Sequence, residues 1–118
     1  MFKFVNERDA PSVTEQPVVQ VNSWRVVEAK NGNRHLAAVL DHGPLRTTSP
    51  IATFNPATAE LTTTSGRKYE LLGPPEARQP QLALLAANVA RVGLSDSVDI
   101  SDTLWQLIEG ARLTVVGK

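Results

Sequence analysis

Two histidines, His35 and His42, are the side chains able to exchange protons near neutral pH, and both stand beside segments that read as turns. Asp41 and His42, with Ser49 a few residues on, supply the residue types of a nucleophile triad. A triad is a spatial arrangement, however, and closeness along the chain does not build one; these three read as turn residues. A zinc site would need both histidines and a further ligand such as Asp41 or Glu28. With no cysteine and no pair of histidines one helical turn apart, none is expected. Thr64-Ser65-Gly66-Arg67-Lys68 places small residues before two cations, as a phosphate loop does, but lacks the glycine spacing and following helix of a Walker loop, so it reads as a hairpin turn. Asp96, Asp99 and Asp102 recur every third residue without the alternation, central glycine and final glutamate of a calcium loop. Helix capping and a solvated acidic face are expected there. The chain therefore reads as a non-enzyme without cofactor or metal.

Binding chemistry is better represented. Arg25, Arg34, Arg46, Arg67 and Lys68 fall in one stretch, residues 18–75, whose formal charge sums to +2. Gathered on one face they would neutralise phosphates, with Trp24, Phe54 or Tyr69 offering rings for stacking. Trp24 is preceded by polar Asn22 and Ser23 and followed by Arg25, which makes it a candidate half-exposed anchor, with core packing as the leading alternative. Trp105 lies in an apolar helical stripe and reads as core. Trp24, Arg25, Arg34, Arg67 and Lys68 are thus the candidate partner-binding residues, and the cations of the Lys30–Arg34 and Ser65–Lys68 turns are the ones best placed on loops.

The 118 residues suit one domain, 42% hydrophobic and 20% charged. Twelve Lys and Arg balance twelve Asp and Glu, so neither a basic nucleic-acid coat nor an acidic mimic is indicated. No segment nears the ~20 consecutive apolar residues of a membrane helix. After residues 1–5, Asn6, Glu7, Arg8 and Asp9 stand where a signal peptide would be apolar, so a cytoplasmic protein is expected.

The elements that must position these residues follow from periodicity and turns. Residues 1–17 read as a loose lead-in and 18–118 as one α+β domain, a β meander over 18–73 followed by two helices within 80–112. Strands are expected at 18–21 and 24–29, with a bend or bulge at Asn22-Ser23 where the apolar parity changes. Asn31-Gly32 tolerates the positive φ of a tight hairpin into 36–40. His42-Gly43-Pro44 turns the chain into an extended run over 45–55, which Pro50 confines to an edge or bulge. Asn55-Pro56 and Ser65-Gly66 turn it again around strands at 61–64 and 68–72. Seven of ten threonines lie between Thr47 and Thr64, in keeping with strands. Leu82, Leu85, Ala86 and Val89 share one stripe of a helix over 80–92 that Gly93 ends. A second helix over 101–110 is capped by Ser101, stapled by Ile100 and Trp105, and turns Leu104, Trp105, Ile108 and Ala111 inward. Residues 113–116 read as a final short strand. The expected fold is a curled antiparallel meander of about five strands, barrel-like, covered by two C-terminal helices.

Through Trp24-Arg25-Val26-Val27, Arg34-His35-Leu36, Thr48-Ser49-Pro50-Ile51 and Thr64-Ser65-Gly66-Arg67-Lys68-Tyr69-Glu70-Leu71, residues 24–73 resemble small uncharacterised single-domain proteins of proteobacterial genomes and their mobile elements. The resemblance implies a bacterial or phage setting, in which small non-enzymatic proteins act by binding and blocking larger machines. The leading expectation is a non-catalytic protein-binding domain, an inhibitor or accessory factor acting by surface occlusion. The alternative is a small β-barrel that binds nucleic acid. Homodimerisation through an exposed strand edge is compatible with the first.

Overall fold

The computed structural model describes residues 18–40 and 44–116, the side chains of 113–116 excepted. The expected lead-in over 1–17 and the roles weighed for Asp41 and His42 lie outside the described residues. The class is α+β: the described residues form eight strands in two four-stranded sheets and two helices.

Strands β1 (Val19–Val21), β5 (Ile51–Asn55), β6 (Glu60–Thr63) and β7 (Lys68–Leu71) form the first sheet in the order β1-β7-β6-β5. Strands β2 (Ser23–Glu28), β3 (Arg34–Val39), β4 (Leu45–Thr47) and β8 (Val98–Asp99) form the second, in the order β4-β3-β2-β8. One main core lies between them. Trp24, Val26, Leu36 and Ala38 of the second sheet meet Val21, Leu61, Tyr69 and Leu71 of the first, and Leu104 and Ile108 of helix α2 (Ser101–Val116) complete it. The change of apolar parity at Asn22 now has a cause. The chain leaves one sheet and enters the other at that bend, so odd-numbered valines and then even-numbered residues face the same interior.

The two Gly-containing hairpin tips share one design. Gly32 donates its N–H to Ala29 O at 2.9 Å and Ala29 donates to Asn33 O at 2.7 Å; Gly66 donates to Thr63 O at 2.8 Å and Thr63 to Arg67 O at 2.9 Å. In each the third loop residue is a glycine with positive φ, +90° and +91°, closing a turn of negative-φ residues as a G1 bulge does. Asn31 therefore contributes its side chain, which accepts the Asn33 N–H at 2.9 Å, rather than a left-handed backbone.

Four expectations are corrected. The strands do not follow one another as a meander of about five, because β1 pairs in parallel with β7 and the chain crosses between sheets. The run over 45–55 is two strands in different sheets, broken at Thr48-Ser49-Pro50 where Pro50 has no N–H for a ladder. Residues 113–116 are helical, since helix propagation adds a hydrogen bond per residue and a single Gly110 costs only about 1 kcal/mol. Ser101 does not cap that helix: its Oγ accepts the Val26 N–H at 2.8 Å, while Asp99 Oδ1 accepts the Ser101 N–H at 2.9 Å. Trp105 is half-buried against the main core.

Helix α1 (Gln81–Arg91) covers the opposite face of the second sheet, where Leu85 and Val89 pack on Val27 and Ala37. Its C-terminus is a Schellman motif: Gly93 donates to Ala90 O and Leu94 to Val89 O, both at 3.0 Å, and Leu94 packs into the same small core. Buried Asn88 accepts the Thr47 hydroxyl at 2.6 Å, which fixes α1 over the β4 side of the sheet.

Candidate recognition surface

The break between β4 and β5 is where three sequence motifs meet. Thr48 donates its N–H to Leu36 O at 2.8 Å and accepts the Leu36 N–H on its hydroxyl at 3.1 Å, so a side chain continues the ladder that the backbone abandons. His35 Nδ1 lies 2.9 Å from Thr48 O. On the other side, Thr64 donates to Pro50 O at 2.8 Å, and Ser49 Oγ donates to Ser65 Oγ at 3.3 Å. Ser65 Oγ is itself 2.9 Å from the buried Thr63 hydroxyl. The Arg34-His35 end of one hairpin and the Thr64–Arg67 tip of another are thereby tied to a common strap, Thr48-Ser49-Pro50. The crowding of threonines suggested strands; that some of their hydroxyls replace ladder bonds was not legible from composition.

Of the five candidate residues, three are exposed. Arg67 and Lys68 make no ion pair among the described residues, and Arg34 approaches Glu28 at 3.7 Å while staying 57% exposed. An exposed pair of that length is worth little and leaves the guanidinium available. On the first sheet Glu60 stands directly across from Glu70, away from the Ser65–Lys68 tip.

Trp24 is not a half-exposed anchor. Its side chain is fully buried and its indole Nε1 donates to Gly73 O at 2.8 Å, so the polar neighbours that suggested exposure belong to the bend and to the opposite face. Tyr69 is also buried and Phe54 is half-buried against the main core, so two of the three rings considered for stacking on nucleic acid lie inside the core. Arg25 is taken up internally. Its Nε and Nη2 each donate to the Asp99 carboxylate at 3.0 Å, and Nη1 donates to Glu76 O at 2.8 Å. Burial works to raise the Asp99 pKa, but hydrogen bonds from Arg25 and Ser101 outweigh it and hold the carboxyl below its ordinary value. The Ser23 hydroxyl, donating at 2.6 Å, similarly lowers Glu76.

No cluster of three or more potential metal ligands occurs among the described residues. Nor is any helix among them long and apolar enough to cross a membrane. No protein-family model, curated protein or solved structure matches the chain.

Proposed function

We propose that this chain is a non-catalytic protein-recognition module that engages an acidic surface of its partner through the two cationic tips and the strap between them, and acts by occluding that surface. The observation that carries this reading is the strap itself. Backbone and hydroxyl hydrogen bonds tie the strap to both hairpins, whose tips carry Arg34 and Lys68 at strand ends and Arg67 in the turn between strands, so the tips are ordered before binding. Pre-ordered loops lose little conformational entropy on association, and cations at their tips speed encounter with an acidic partner. An inhibitor or accessory factor of a bacterial or phage-borne system fits a domain of this size and the resemblance noted above. A nucleic-acid role is the weaker reading, since two of the three rings that would stack are turned into the core.

The experiment is affinity capture from nuclease-treated bacterial lysate, comparing the wild type with the Arg67→Glu, Lys68→Glu double variant. A stoichiometric protein retained by the wild type and lost by the folded variant is expected. Recovery of no such protein, with salt-sensitive retention of added oligonucleotide instead, would replace this reading with nucleic-acid binding.

A further inference from the structure

Helix α1 leaves part of the second sheet uncovered. It packs over β3 and β4, touches β2 least, and the sheet continues past it to β8. The space so left is a groove of about 250 Å³. Its walls are Leu85, Ala86 and Val89 of α1, its floor is Val27, and at one end stand Arg25 and Asp99. Ala86 is exposed on the helix and the Asp99 side chain is 40% exposed, so the groove opens to solvent. A dry cavity of roughly 150 Å³ accepts a benzene ring, so this volume takes such a ring with a short polar arm.

We propose that the groove binds a small molecule with an aromatic or branched aliphatic body and an uncharged head that both donates and accepts hydrogen bonds, a primary amide being the simplest. The body is selected by the apolar walls. The head is selected by the ion pair, because Arg25 and Asp99 together present no net charge. A carboxylate reaching for Arg25 would stand beside the Asp99 carboxylate, and an ammonium reaching for Asp99 would stand beside the guanidinium. Three of the five guanidinium N–H groups are used by Asp99 and Glu76 O, which leaves donors for an amide carbonyl. The carboxylate retains one lone pair for the amide NH2, on Oδ2, which accepts from Arg25 alone, whereas Oδ1 already accepts from both Arg25 and Ser101. This site is separate from the hairpin tips, and neither reading depends on the other.

The test is an NMR titration of the isotopically labelled full chain with phenylacetamide, phenylacetate and 2-phenylethylamine, three probes with one ring and different heads. Saturable shifts at the methyls of Val27, Leu85 and Val89 are expected, with the amide binding at least about tenfold tighter than either charged probe, the discrimination an unpaired desolvated charge imposes. Ala86→Phe, which fills the groove from an exposed position, should abolish those shifts while the rest of the spectrum is preserved. Asp99→Asn, which leaves the guanidinium without its counter-charge, should make phenylacetate the tightest of the three. The proposal is overturned by any of three results: no saturable shifts with any probe, equal or charge-favouring affinities in the wild type, or binding that survives Ala86→Phe.

Discussion

The two faces of the second sheet solve the same problem unequally. On the inner face, Trp24, Val26, Leu36 and Ala38 are covered by the whole first sheet and by α2, and each is at most 1% exposed. On the outer face, Val27, Ala37 and Val39 are small or β-branched, and one helix of eleven residues shields them incompletely. Large rings and branched chains interdigitate between layers, whereas small residues let a helix lie close but cannot fill the space beside it. A single amphipathic helix over a four-stranded sheet therefore protects its middle and leaves a flank. In this protein that flank is the groove.

The sharpest way to break the comparison is Trp24→Ala. It removes the largest buried side chain and leaves Gly73 O without its indole donor, so a loss of about 3–5 kcal/mol in chemical denaturation is expected. A loss under about 1 kcal/mol would mean that the inner face is not the main core. Leucine truncations then rank the faces against each other. Leu61→Ala, in the closed core, should cost about 4 kcal/mol and Leu85→Ala, beside the open groove, about 2, since water or local collapse relieves the second cavity. Equal losses would erase the distinction.

The Arg25–Asp99 pair sits on the outer face and is partly solvated, so Asp99→Asn should cost only about 1 kcal/mol at neutral pH. Its sign with pH is the more informative readout. A carboxyl whose folded pKa is depressed contributes stability that is complete above its unfolded value, about 3.9, and is lost as pH falls through the lower folded value. Wild-type stability should therefore decline in the acid range, with Glu76 acting in the same direction, and Asp99→Asn should flatten that limb in urea unfolding followed from about pH 7 down to about pH 2, the loss setting in near the unfolded value and continuing below it. The smallest effect belongs to the tips: Arg67→Glu should change stability by less than about 0.5 kcal/mol while weakening partner capture.

Much of the local structure was readable from residue types. Gly32 and Gly66 marked two hairpins because only glycine takes their positive φ cheaply, and the spacing of Leu85 with Val89 and of Leu104 with Ile108 marked the buried stripes of both helices. What escaped was long-range. Strand β8 is two exposed residues with no alternation to detect, existing because β2 has an open edge and Ser101 follows to accept the Val26 N–H. Arg25 looked free because its partner lies on the far side of both hairpins and α1, and Trp24, for which core packing was the leading reading, also offered itself as a half-exposed anchor because sequence neighbours in a strand belong to opposite faces. The recognition surface was half legible: its cations stood out as turn residues, but the strap that joins their hairpins depends on which sheet each strand enters.

Strand β1 runs parallel to β7, and Gln20 reaches Glu70 fifty positions downstream; Val26 meets Ser101 across seventy-five. The hairpins between β2 and β3, β5 and β6, and β6 and β7 close short loops and can form as soon as their own residues collapse. Both outer strands of the β1 and β8 edges have to wait, since each requires a large loop to be closed before any pairing rewards it. During synthesis the β1 edge stays unpaired until β7 has emerged, and the β2 edge until Val98 and Asp99 have followed. Pairing of β8 with β2 closes the longer of these two loops, and the same two-residue strand brings Asp99 to Arg25 and places Ser101, the first residue of the helix that completes the core, against Val26.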